Sequence, residues 1–280
     1  MTGGGLELGK GALDLTGLSG LPLFLDGDGA PVYGPDVVVE ERRARVLDDL
    51  APVALEPASC HGSRAVAYYM DNGVYRRADA VRLAGLALRF EVTLIPARRL
   101  GREYVKTLGH VHSVDPQSGM TWPEICEVVV GTAHFLLQTL DPEGPSAGRA
   151  WLVEAKAGQK VILPPDLDHL TINPGPGPLL FTDVIGLGVT ADYERFRAAR
   201  GAAYLEVEDA AGGAFVPNPE YRSVPPLERL VPREYPDLAL SEAEPLYTAF
   251  VRTRGQEWTF LTDPRRFWGA FPDLASGYGS

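Results

Sequence analysis

Apolar and polar residues alternate strictly along Leu88-Arg89-Phe90-Glu91-Val92-Thr93-Leu94, which predicts a half-buried strand over residues 88–94. Short apolar runs punctuated by glycine and proline predict further strands at 65–70, 104–112, 124–130, 134–140, 150–156, 160–163, 169–173 and 179–185. Many short strands joined by such turns favour a β-sandwich or barrel. Val39, Val46, Leu47 and Leu50, with charges between them, predict a short amphipathic helix over 40–50, stopped before Pro52. A second helix is expected over 191–200, with Thr190 as N-cap and Gly201 just past its end. A hairpin is expected between 203–209 and 214–217 across Gly212-Gly213. Residues 1–35 read as irregular, and the Pro-rich stretch 220–245 as a wrap over the strands.

The candidate chemistry lies on these strands. His110 and His112 are alternate residues, so one strand would point both imidazoles to the same side. Glu124 begins a β-rich run that ends at the turn glycine Gly131. His169 follows the Pro164-Pro165 turn and starts another short strand. Together His110, His112, Glu124 and His169 make a three-nitrogen, one-oxygen set, which suits a divalent first-row metal with positions left open. Glu127 lies three residues after Glu124 and is expected on the other face. His134 reads as a solvated strand residue and His61 as a loop residue without a role. Of four tryptophans, Trp122 beside Glu124 is the one placed to stack on a ligand.

Composition narrows the picture. A chain of 280 residues with 45% hydrophobic and 22% charged positions is ordinary for a soluble globular protein. The 31 glycines and 24 prolines go with many strands and turns. No apolar run reaches the ~18 residues of a transmembrane helix, and Met1-Thr2-Gly3-Gly4-Gly5 has no signal-peptide pattern. Two cysteines make no disulfide scaffold, so a cytoplasmic location is expected. The net charge of −11 argues against a nucleic-acid partner. It also means that an anionic substrate needs a locally positive or N–H-rich pocket.

Three segments resemble the cupin-type phosphoglucose isomerases of archaea and some bacteria. They are Gly101-Arg-Glu-Tyr-Val-Lys-Thr-Leu-Gly-His-Val-His112, Pro123-Glu-Ile-Cys-Glu-Val-Val-Val-Gly131 and Val161-Ile-Leu-Pro-Pro-Asp-Leu-Asp-His-Leu-Thr-Ile-Asn173. Ala191-Asp-Tyr193 and Pro217-Asn-Pro219 continue the likeness, which covers roughly residues 85–220. The resemblance implies a mainly β protein, a cupin double-stranded β-barrel (jelly roll) with a few helices in its extensions. The expected division is an N-terminal extension (1–85), the barrel (86–220) and a C-terminal extension (221–280). It implies a homodimer that interconverts glucose 6-phosphate and fructose 6-phosphate with one divalent metal per subunit, iron, manganese, nickel or zinc. The implied ligands are His110, His112, Glu124 and His169; Thr107 and Gly109 fall at the phosphate, and Tyr193 at the sugar. Lys106 could add charge there, although regular alternation points it to the His110 side and Thr107 away, unless a bulge at Leu108-Gly109 intervenes. Glu124 is then the base that shuttles a proton through an enediol, the alternative being a hydride shift.

The chain departs from the family where substrate is expected. Tyrosines are replaced by Cys126, read as a small pocket wall, and by Ile185; a histidine is replaced by Ala191. Eleven residues separate His112 from Glu124 where a short turn is usual. These changes suggest a smaller, less polar or differently shaped substrate. A cupin enzyme for another sugar phosphate or a specialised-metabolism compound, or a non-catalytic metal- and sugar-binding cupin, are the alternatives.

Overall fold

The alternating run becomes the strand Leu88–Ile95, and its two faces meet different surroundings. Leu88, Phe90, Val92 and Leu94 are buried in one apolar layer. Arg89, Glu91 and Thr93 face an internal cavity rather than bulk water. The computed structural model describes residues 12–141, 144–210 and 212–274. The Met1–Gly5 segment lies outside the described residues.

Two sheets make the barrel. The larger is antiparallel, in the order Lys160–Leu163, Glu124–Val130, Leu179–Gly186, Leu88–Ile95, Val66–Arg76, Val37–Val46. The smaller runs Asp168–Ile172, Thr132–Leu140, Ala147–Lys156, Leu227–Leu230, its last pair parallel. Val128, Phe135, Leu137, Trp151, Val153 and Phe181 are buried together between them. The Phe135 and Phe181 rings meet edge-on at 5.9 Å. The protein is mainly β, a double-stranded β-barrel as expected.

The outer face of the larger sheet is covered by both ends of the chain. Leu15, Leu23 and Leu25 from one end, and Tyr247, Phe250 and Trp258 from the other, share a core with Ile125, Val129 and Val184. The central strands of this sheet are therefore apolar on the outside and increasingly polar toward the cavity.

Several expectations are corrected. The helix over 40–50 is instead the strand Val37–Val46, followed by one short turn, Leu47–Leu50. The β-branched Val37-Val38-Val39 start and long pairing with Val66–Arg76 outweigh the helical spacing. The larger sheet thus includes the strands Val37–Val46 and Val66–Arg76. Within 1–35, the described part forms a small sheet from Leu13–Asp14, Leu23–Leu25 and Pro31–Tyr33. The second helix is only Glu194–Ala198, because Ala191–Asp192 pairs with Val111–His112; Thr190 makes no cap. The hairpin forms between Tyr204–Val207 and Ala214–Pro217. The expected strand over 104–112 is interrupted: Gly109 adopts φ +87°, leaving Glu103–Tyr104 and Val111–His112 as separate short strands.

Candidate metal centre and substrate cavity

The interruption at Gly109 positions the histidines. His110 pairs with His169 through two backbone hydrogen bonds, which bind the leading segment to the smaller sheet. His112 continues onto the short strand beside Ala191. One ligand atom from each of His110, His112 and His169 lies within 4.8 Å of the others. Two are oriented by backbone carbonyls. Nδ1–H of His112 donates to Trp122 O at 2.8 Å, and that of His169 faces Leu167 O at 3.4 Å. A carbonyl only accepts, so each Nε2 carries the lone pair. The Nε2 of His169 is buried without a hydrogen-bond partner among the described residues. Trp122 contributes its backbone carbonyl here, not the stacking surface expected of its indole.

Glu124 enters from the opposing sheet. Its Oε2 lies 3.4 Å from His112 Nε2 and 3.7 Å from His169 Nε2. Its Oε1 accepts a hydrogen bond from Cys126 Sγ at 3.0 Å. Burial dominates the electrostatics. It pushes His112 down to about 4 and His169 to about 3, and holds His110 well below the ordinary range. Neutral imidazoles with free Nε2 atoms are the form that ligates a metal. Burial also raises Glu124 to about 7, with the Cys126 hydrogen bond working in the opposite direction. A cation placed among the four side chains would relieve both the orphaned nitrogen and the desolvated carboxylate, so the donor set fits a divalent metal.

A cavity of about 340 Å³ opens from this cluster. Thr107, Gly109, Tyr193, Ile185 and Ala191 all line it. The Thr107 Oγ1 accepts from the Thr171 N–H at 3.0 Å, which leaves the hydroxyl proton free to donate. The Tyr193 ring lies 5.6 Å from His110 and beneath the Arg45 guanidinium at 4.7 Å. Gly109 is required by packing as well as by φ, since a Cβ there would fall 2.5 Å from the Phe196 ring.

Two expected contacts are corrected. Lys106 is buried and its ammonium donates to Val53 O and pairs with Glu103, so it does not reach the cavity. A buried ammonium needs close partners, and both lie on the far side. Cys126 is 1% exposed and sits behind Glu124 as its hydrogen-bond donor, outside the cavity wall. His134 is corrected too: it is half-buried between Glu206 at 2.8 Å and Glu154 at 3.4 Å.

The rest of the wall was missed. Arg43, Tyr68, Met70, Arg89, Glu91 and Asp183 line it from the larger sheet. Reading 40–50 as a helix hid Arg43. The alternation at 88–94 already marked Arg89 and Glu91 as one polar face, and Asp183 was legible as a single acid inside the apolar run 179–185. The eleven-residue spacer is ordered: Val114 bridges Thr121, Asp115 accepts from Ser118 N–H at 2.9 Å, and Asp166 accepts from Thr121 N–H at 2.8 Å.

The family model described as glucose-6-phosphate isomerase matches residues 44–220. Similar curated proteins are the glucose-6-phosphate isomerases of Pyrococcus abyssi, 29% identical over 136 residues, and of Thermococcus litoralis, 30% identical over 135. Those alignments cover 49% and 48% of this chain, and 66% and 65% of the relatives. The matched part thus spans just under two thirds of each relative. A solved structure of hazelnut (Corylus avellana) vicilin overlaps with TM-score 0.32 at 14% identity, covering 44% of this chain and 31% of that one. The family match extends over more than half of the chain, from the Val37–Val46 strand to the turn after Pro217. The chain belongs to the glucose-6-phosphate isomerase family.

Proposed function

From that membership, we propose that the protein is a metal-dependent aldose–ketose isomerase that interconverts glucose 6-phosphate and fructose 6-phosphate. The observation that carries the reading is the convergence of three neutral imidazoles and the Glu124 carboxylate at one end of the cavity. His110, His112, Glu124 and His169 would hold one divalent ion, iron, manganese, nickel or zinc. When bound, such an ion supplies polarisation of the two oxygens between which the carbonyl moves.

The protein's own groups do the rest. Glu124 takes the proton from C2 of the aldose and returns it to C1 through an enediol, while the proton of the O2 hydroxyl passes to O1. Cys126 holds Oε1 and leaves Oε2 toward the cavity. The Thr107 hydroxyl donates to the phosphate. The Gly109 N–H, which makes no hydrogen bond to the described residues, adds a second donor. Tyr193 contacts the sugar from the cavity wall. The functional unit is read as a barrel with extensions at both ends, acting as a homodimer.

The test is a coupled isomerase assay with fructose 6-phosphate on protein stripped of metal and reloaded with each ion, alongside Glu124→Gln. Turnover that requires metal and drops about 10²–10⁴-fold in the variant supports the reading. Stoichiometric metal without turnover refutes it.

A further inference from the structure

Asp183 is a buried carboxyl on the cavity wall, and burial together with the neighbouring Glu124 and Glu91 pushes it well above the usual carboxylate range. It is 4% exposed and receives no hydrogen bond or ion pair from the described residues. It lines the cavity. The nearest cation, Arg89, is engaged by Glu91. A polar group on a cavity wall without a partner among the described residues is available to a ligand that fills the cavity.

Its position is fixed by register. Asp183 stands directly between Cys126 and Glu91 on the neighbouring strands. Glu124 is two residues from Cys126, so Glu124 and Asp183 are diagonal neighbours, about 7 Å apart at their Cβ atoms. A sugar whose first two carbons meet Glu124 has Asp183 within reach of its next carbons. Ile185 lies two residues further along the same face and offers no hydrogen bond.

We infer that Asp183 is a specificity-determining residue whose carboxyl hydrogen-bonds sugar hydroxyls on the carbons beyond the reacting pair. The inference rests on the sugar-phosphate reading of the cavity and names the group that reads the sugar. A site with such a group rejects analogues that lack the hydroxyl, because the carboxyl is then left without that partner.

The test is calorimetric binding to the metal-loaded protein of glucitol 6-phosphate and its 3-deoxy and 4-deoxy counterparts. It compares wild type, Asp183→Ala and Asp183→Asn, with thermal melts of all three. Wild type is expected to bind at least one deoxy compound about 10–100-fold more weakly than the parent. Asp183→Ala is expected to bind the parent that much more weakly and no longer to discriminate. Its melting temperature is expected at or above that of wild type, since an unpartnered buried carboxyl has been removed; a purely structural Asp183 would lower it. Unchanged discrimination in Asp183→Ala, a destabilised Asp183→Ala and Asp183→Asn, or loss of a second bound divalent ion would each overturn the inference. Failure of wild type to bind any of the three probes overturns it as well. Discrimination through Asp183 without turnover of fructose 6-phosphate would leave it standing and remove only the isomerase reading.

Discussion

Cys126 Sγ donates a hydrogen bond to Glu124 Oε1 at 3.0 Å from the same face of one strand. Burial pushes the thiol well above its ordinary range, so it keeps the proton that it donates. The thiol thus sets the carboxylate's orientation rather than acting on substrate. Cys126→Ala is expected to lower kcat about 3–10-fold, as befits one modest hydrogen bond, with KM within about twofold. Cys126→Ser, which restores a donor, should recover most of the rate. Equal kcat in all three forms would show that the imidazoles alone orient Glu124.

Metal affinity should depend on pH through Glu124. In the metal-free protein burial holds this carboxyl up at about 7, while His112 and His169 titrate near 4 and 3. Ligation requires the carboxylate, so below pH ~7 binding must release one proton. Affinity is expected to fall about tenfold per unit from pH ~7 to ~5 and to be flat above; the histidines are neutral throughout and add no slope. Chelator competition over that range measures the slope, and Glu124→Gln should flatten it. A slope retained in that variant would assign the proton to another group.

Gly109→Ala tests the break in the leading strand. The new Cβ would meet the Phe196 ring at 2.5 Å, at a residue with φ +87°. Strain and overpacking of this kind cost about 1–3 kcal/mol each. A lower melting temperature is expected, with weaker binding of inorganic phosphate. Adding Phe196→Leu should recover part of the stability but not the φ component. An unchanged melt would mean that the segment relaxes freely.

Lys160 and Glu127 form an ion pair at 2.7 Å with both side chains almost fully buried. Lys160 also donates to Gly158 O and Glu244 O, and Glu127 accepts from Leu246 N–H at the start of the helix Leu246–Thr253. The pair therefore docks the C-terminal segment on the barrel. Lys160→Met leaves a buried carboxylate unpaired and is expected to cost about 3–5 kcal/mol in denaturant unfolding. Faster proteolysis around residues 240–246 should accompany it. A loss under ~1 kcal/mol would show that the segment is held by its apolar contacts alone.

Much of this molecule is legible in the residues alone. Alternation at 88–94, the short apolar runs and the Gly/Pro turns determined the strand content, because side-chain period is local to a strand. The spacing His110-X-His112, Glu124 to Gly131 and Pro-Pro to His169 named the side chains that the fold gathers into one cluster. Tertiary structure decided the rest. Residues 37–46 carry a helical spacing that a ten-residue strand pairing overrides, and this brought Arg43 to the cavity wall. Thr107 and His110 both line the cavity although a regular strand would point them to opposite sides, because Gly109 between them takes φ +87°, while Lys106 pairs with Glu103. Asp183 could be seen as an acid among apolar residues, but its place on the cavity wall beside Glu124 is a property of the register between strands. Pairing across a sheet joins residues far apart in the chain, and no local pattern encodes which of them meet.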